Sequence, residues 1–291
     1  MNYKILQMAL RHQPTVFCEF QLEQKIVDFC FVEGLGFFFI AGHAIGKIEL
    51  DGKVVYPFLG QTKPCTTQIG FRQRVSFENP ISLCYREANK TLLILEKGGR
   101  NILSLNTLAD FYCQLAFSSD ILKQANKHHH AYAIQNSACI RADGHLVAWS
   151  LSSIHRAFYL NGTSLKIIGN GRRGYSIANS EEYCQLSNPS GVAIKNSALY
   201  IADKDNHCIR RFLQGYHLVI GHPTDAQWSD FLPESPVFIE DALFFIDRYM
   251  LKQMLNARAK LTTVYQNQQA NGLLLTTMGS KAMAILEMTN A

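Results

Sequence analysis

One short strand frame recurs six times along this chain. LYIAD ends at Asp203, and the same frame reads FFIAG ending at Gly42, LLILE at Glu96, LVAWS at Ser150, LFFID at Asp247 and MAILE at Glu287. Successive copies lie 54, 54, 53, 44 and 40 residues apart. Four of the six end in a carboxylate that starts a polar turn. A second apolar run precedes each copy, as in NPISLCYREAN and NPSGVAIKN, and two more follow the first five copies, as in GKIEL then KVVYPFLG. Turn-forming stretches such as KNS and DKDNH separate the runs, as antiparallel strands joined by tight turns require.

Each unit therefore reads as a four-stranded antiparallel sheet. One such sheet leaves two apolar faces uncovered, whereas six arranged radially bury face against face. The expected fold is all-β, a single six-bladed β-propeller over residues 1–291. Its blades are expected at about 26–60, 78–117, 131–169, 188–221 and 235–266, with the sixth at about 268–288 plus 1–21. The sixth unit runs out of chain after MAILE. Two spare runs near the N-terminus, Tyr3–Leu10 and Thr15–Gln21, are expected to supply its missing strands and close the ring.

Composition supports a packed core: 47% of the 291 residues are apolar and 18% are charged. These values exclude disorder and coiled coil. The net charge of +5 is below that of a dedicated nucleic-acid binder. No apolar run reaches the roughly 18–20 residues that span a bilayer, and the N-terminus lacks a secretory pattern. The eight cysteines form no CxxC pair, and several sit within strand-like runs, where Cys acts as a small hydrophobe. A cytoplasmic monomer that does not engage membranes is expected.

The fourth unit carries a more specific pattern. Pro189, Gly191, Val192 and Ala193 precede Leu199–Asp203, which is followed by Asn206, His207, Ile209 and Arg210. This resembles an NHL repeat, and the preceding GNGRRGYS resembles the segment between blades of that family. The resemblance covers about residues 169–213; the other units keep the apolar frame without those letters. It implies a six-bladed propeller. Propellers of this family serve as protein-interaction domains, RNA binders, sensor domains and zinc-dependent lyases, so the resemblance implies fold rather than chemistry.

Catalytic signatures are sparse. The chain has no G-x-S-x-G, H-E-x-x-H or P-loop, and no catalytic residue is expected. Asp203, Asn206, His207 and Arg210 are read as a turn lock, because Asp and Asn side chains bond nearby backbone donors. His128, His129 and His130 would alternate in direction along an extended link, which disfavours joint ligation. No cofactor is expected. The enzymatic alternative, a metal-dependent lyase or hydrolase with zinc or calcium at the channel, would draw on His43, His155 and His207. These fall one, five and four residues past the repeat anchor, which reads as non-equivalent.

The leading expectation is a non-enzymatic recognition scaffold. A protein or peptide partner would bind the face made by the turns between second and third strands and by the links between blades. Candidate contacts are Arg72, Arg74, Lys97, Arg100, Arg172, Arg173, Lys204, Asp205, His207, Asp230 and Arg248. By sequence count the face is split, basic over residues 60–130 and acidic over 203–250. Such a split suits a protein partner better than a phosphate backbone. Phe71 within FRQR keeps single-stranded RNA as an alternative, since an aromatic beside Arg stacks on bases. Trp228 and Phe231 read as a plug between the fourth and fifth blades.

Overall fold

The computed structural model describes residues 1–10, 12–96, 101–117, 138–176, 183–212, 217–254, 261–279 and 281–290. Six four-stranded antiparallel sheets form the blades of a propeller. The first, innermost strands are β3 (Ile26–Val32), β7 (Pro80–Arg86), β11 (Ala138–Asp143), β15 (Pro189–Lys195), β19 (Pro233–Ile239) and β23 (Gly272–Met278). The second strands of blades one to five are β4 (Gly36–Ala41), β8 (Thr91–Glu96), β12 (Leu146–Leu151), β16 (Ala198–Asp203) and β20 (Ala242–Asp247). Their third strands are β5 (Ala44–Ile48), β9 (Ile102–Asn106), β13 (Arg156–Asn161), β17 (Cys208–Phe212) and β21 (Met250–Met254). The outermost are β6 (Val54–Gly60), β10 (Tyr112–Leu115), β14 (Ser164–Ile168), β18 (His217–Gly221) and β22 (Leu261–Gln266).

The sixth blade joins the two ends of the chain, in the order β2 (Thr15–Gln21), β1 (Asn2–Ala9), β24 (Ala282–Thr289), β23. The β1–β24 ladder is unbroken from Asn2↔Thr289 to Ala9↔Ala282. Closure by both termini, expected from the spare N-terminal runs, is what the sheet contains.

The repeat frame shifts by one residue in two blades. The second strands of the first and third blades end at Ala41 and Leu151, rather than at Gly42 and Ser150. A small residue and a polar residue next to a turn resemble an anchor by letter. Pairing sets the true end, since Ala41 opposes Ala44 and Leu151 opposes Arg156.

The core is distributed between blades rather than within them. Six buried apolar clusters occupy the six gaps. Phe38, Ile40, Leu83 and Ile94 join the first and second blades; Leu93, Ile140 and Trp149 join the second and third. Cys139, Val192 and Ile201 fill the next gap, then Ile209, Phe231 and Phe245, then Phe244, Leu273 and Ile285. Tyr3, Phe29, Phe37 and Leu286 close the ring between the sixth and first blades. Each fully buried large apolar side chain contributes roughly 1.5–3 kcal/mol. The contribution is realised only when a neighbouring blade is present. The eight cysteines are free, and six of them are buried; burial pushes the Cys84 and Cys113 thiols up to about 12, so both stay protonated at neutral pH. Among the described residues no helix is long and apolar enough to cross a membrane.

Candidate functional site

All six innermost strands run in the same direction from one mouth of the central channel. The links between blades and the turns between second and third strands meet at that mouth. The carboxylates that end the repeat frame hold this face together. Asp203 accepts from the Ser187 backbone N–H at 2.7 Å, from Asn206 Nδ2 at 2.8 Å and from Arg210 Nη1 at 2.9 Å. Burial pushes the Asp203 carboxyl upward, and the charge of Arg210 pulls against it. The equivalent Glu96 accepts from the Glu78 N–H at 2.9 Å and from Asn101 Nδ2 at 2.9 Å. Asp247 accepts from the Leu232 N–H at 3.1 Å and pairs with Lys252 at 2.6 Å. Glu287 accepts from Asn267 Nδ2 at 3.0 Å and from the Tyr265 hydroxyl. Every one of these carboxylates fastens the link that enters its own blade. Asp203, Asn206 and Arg210 are thus a turn lock, and Arg210 is fully buried within it.

The histidines do the complementary job. His43, His155 and His207 each stand immediately before a third strand, and so hold equivalent positions. This corrects the non-equivalence inferred from the repeat anchor: counted from the true strand ends the three lie two, four and four residues on, the first blade having a turn two residues shorter, and their common position is set by the third strand. His43 Nδ1 meets the Glu78 carbonyl, His155 Nδ1 accepts from the Asn188 N–H at 3.1 Å, and His207 Nδ1 meets the Phe231 carbonyl at 2.9 Å. Each ring therefore fastens the link entering the next blade. His155 and His207 do so from left-handed backbone, with φ of 52° and 53°, closing a single 3-10 turn. The three rings belong to three different blade junctions and do not share a centre. Among the described residues no group of three or more His, Cys, Asp or Glu side chains is placed to hold a metal. His128, His129 and His130 lie outside the described residues, as do Lys97 and Arg100.

The remaining candidates divide by location. Arg72 lies over the Phe58 ring at 4.1 Å and the Phe111 ring at 5.9 Å, with Asp110 at 3.7 Å. The link that carries it doubles back through a Gln68↔Ser76 bridge, and a Gly70↔Cys113 bridge adds it to the outermost strand of the second blade. The FRQR stretch therefore sits at the periphery, where Phe71 packs edge-on against Tyr112 and Arg74 is exposed. A cation wedged between two rings is a packing element, a role the sequence count of basic residues cannot distinguish from a binding one.

Nearer the channel, the charged residues are cross-linked. Arg173 pairs with Asp205 at 3.0 Å, Arg248 with Asp230 at 3.1 Å, and Lys204 with Glu234. Asn188 Nδ2 also donates to Asp205 at 3.1 Å. The carboxylates counted over 203–250 are thus largely neutralised by cations, some from outside that interval. Arg172 is exposed, and its N–H bonds Asn170 Oδ1 at 2.8 Å. Trp228 and Phe231 pack together at 5.4 Å, and Phe231 meets Phe245 at 5.5 Å, plugging the fourth gap.

Sequence reasoning passed over two groups here. Tyr249, beside Arg248, is 47% exposed at the channel mouth. Arg141, on the innermost strand of the third blade, reaches into the channel beside Asp28 of the first, at 3.5 Å. Charged residues within the first runs, Asp28 in β3 and Arg141 in β11, were the available signal.

A family model described as NHL repeat matches residues 186–212. No curated protein sequence matches the chain significantly. Among solved structures, one from a nidogen/laminin complex aligns with a TM-score of 0.59 at 11% identity, over 99% of this chain and 100% of that one. A virginiamycin B lyase from Staphylococcus aureus aligns with a TM-score of 0.51 at 13% identity, over 96% of this chain and 80% of that one. A gluconolactonase from Xanthomonas campestris aligns with a TM-score of 0.56 at 13% identity, over 91% and 86%. Identities this low speak to fold alone. With the repeat match in the fourth blade, the ring of six sheets and the closure by both ends, this chain is a six-bladed β-propeller whose fourth blade carries an NHL repeat.

Proposed function

We propose that this protein is a non-enzymatic recognition scaffold that binds a protein or peptide on the face carrying the channel mouth. The observation that carries this reading is the exposed Arg248–Tyr249 pair, presented by the tight turn between β20 and β21 at that mouth. Arg and Tyr dominate the energetics of protein interfaces, because each offers a large contact area and directional hydrogen bonds. Arg172 and the 72%-exposed Tyr183 repeat the combination in the link before the fourth blade, tied through Asn170. The scaffold beneath is rigid, because carboxylates and histidines fasten the links at the blade junctions. A rigid base under exposed anchors lowers the ordering cost of association. The enzymatic alternative has less support, since His43, His155 and His207 are committed to separate junctions. The RNA alternative has less support as well, since Arg72 is committed to Phe58 and Phe111.

The test is affinity capture from the native cells, with nuclease, comparing the parent protein with Arg248→Glu combined with Tyr249→Ala. A defined protein partner is expected with the parent. Its recovery is expected to drop at least about tenfold with the double variant, the loss typical of an interface anchor. Equal recovery by the two proteins, or a partner lost on nuclease treatment, would overturn the reading.

A further inference from the structure

The channel mouth opens into a cavity of about 720 Å3, within the range of small-ligand sites. Its wall is uneven. Val27, Ile81 and Leu274, on the innermost strands of the first, second and sixth blades, give it an apolar side. Its charged lining residues are Lys25, Arg141, Lys204 and Arg248 against Asp28 and Glu234, four cations to two carboxylates. The excess is positive.

Arg141 and Asp28 are unequal partners. The Asp28 carboxylate is already occupied: Oδ2 accepts from Ser82 Oγ at 2.5 Å and from the Leu83 N–H at 3.1 Å, and Oδ1 accepts from the Phe29 N–H at 2.9 Å. Ser82 Oγ in turn accepts from the Ile140 N–H at 3.0 Å, so this network stitches the first three blades together. Arg141 stands 3.5 Å from Asp28 and donates from Nη1 to the Ile140 carbonyl at 2.7 Å. Among the described residues Nη1 is the only nitrogen of this guanidinium with a hydrogen-bond partner. A guanidinium carries five N–H donors in a planar fork. Arg141 lines the cavity, and its side chain keeps 16% of its surface exposed.

We propose that the channel binds the carboxylate of an amphipathic ligand on Arg141, with its hydrocarbon body against Val27, Ile81 and Leu274. A planar carboxylate matches one free guanidinium edge bidentately. A phosphate dianion has more acceptors than this single edge satisfies, and the apolar wall offers it nothing. The same chemistry is offered by a free aliphatic acid and by the C-terminus of a peptide with an apolar last residue. Arg248 and Tyr249 line the mouth of this same cavity, but the proposal rests on Arg141 and the apolar wall and does not require the partner reading above.

Calorimetric titration of the full chain separates the cases. The probes are octanoate, octanol, inorganic phosphate, and a hexapeptide ending in leucine as free acid and as amide. Binding of at least one free acid is expected, with octanol, the amide and phosphate inactive. Octanoate alone identifies a free acid as the source, and the peptide acid alone identifies a chain terminus. Arg141→Met is expected to lose at least about tenfold in affinity, the worth of a charge-assisted hydrogen bond. Val27→Trp, which sets a bulky ring over the apolar wall without changing Asp28 or Arg141, is expected to lose binding too, and it decides the matter if Arg141→Met does not fold. No binding of either acid at millimolar concentration, equal binding of acid and neutral analogue, binding of phosphate, or full affinity in Val27→Trp would each overturn the proposal.

Discussion

His155 shows how much a single ring contributes to this architecture. Its Nδ1 accepts a backbone N–H, so the imidazole must be neutral to make the bond. Burial, reinforced by Arg173 and opposed by Asp205, holds its pKa below the ordinary 6.5. As pH falls through about 6.5 the unfolded chain takes up the proton first. Native stability therefore declines from there downward, until the folded-state ring itself titrates. The expected outcome is a Tm that drops on acidification below about pH 6.5, with a shallower slope in His155→Asn. Asn tolerates the left-handed backbone and keeps a side-chain acceptor. Thermal melts across the acidic range check this, and identical slopes would remove His155 from the account. The NHL-like letters made Asp203, Asn206 and Arg210 legible as a turn lock. The inter-blade role of the histidines was not legible, because their partners are carbonyls and N–H groups 33 or 24 residues away, as for Asn188 and Phe231.

At the scale of strands, the apolar frame specified which runs pair, and the ladders specified where each one ends. The slip at Ala41 and Leu151 illustrates the limit: a run of letters marks a strand, while hydrogen bonding marks its last residue. Packing adds constraints that no local pattern announces. Gly46, in the middle of β5, lies against the ring of Phe39, so that a Cβ there would fall 2.0 Å from Phe39 Cζ. Its φ lies outside the left-handed region, so close approach is the reason for glycine. Gly46→Ala is expected to destabilise by about 1–3 kcal/mol, the usual cost of overpacking. Combining it with Phe39→Leu, which vacates the space, is expected to recover part of the loss. Denaturant titration of the two proteins measures this; a neutral Gly46→Ala would mean that the ring moves aside freely.

For the molecule as a whole, closure is the decisive step. The β1–β24 ladder joins residues 273 to 287 positions apart and completes the two gaps flanking the sixth blade. Removing residues 2–21 takes away Tyr3, Ile5, Leu6 and Met8, all buried in those gaps. Loss of the single cooperative unfolding transition is expected, with early exposure of the first and fifth blades to protease; a deletion variant that melts cooperatively near the parent Tm would contradict closure as the keystone. The propeller class, the number of blades and this closure follow from the sequence alone. Periodicity and leftover strands are local properties that count units directly, and a four-stranded sheet has only a few ways to bury both faces. Which charges remain available for binding was decided by tertiary structure. Arg72 and Arg248 are the same residue type in polar segments, yet one is clamped between Phe58 and Phe111 and the other stands exposed at the channel mouth. The charge count over 203–250 likewise took no account of Arg173 and Lys252, which lie outside that interval and neutralise Asp205 and Asp247 within it. Arg141 and Asp28 lie 113 positions apart and become neighbours only because the innermost strands of separate blades converge on one axis. Local patterns encode the repeating unit; the side chains that meet at its centre are selected by the ring.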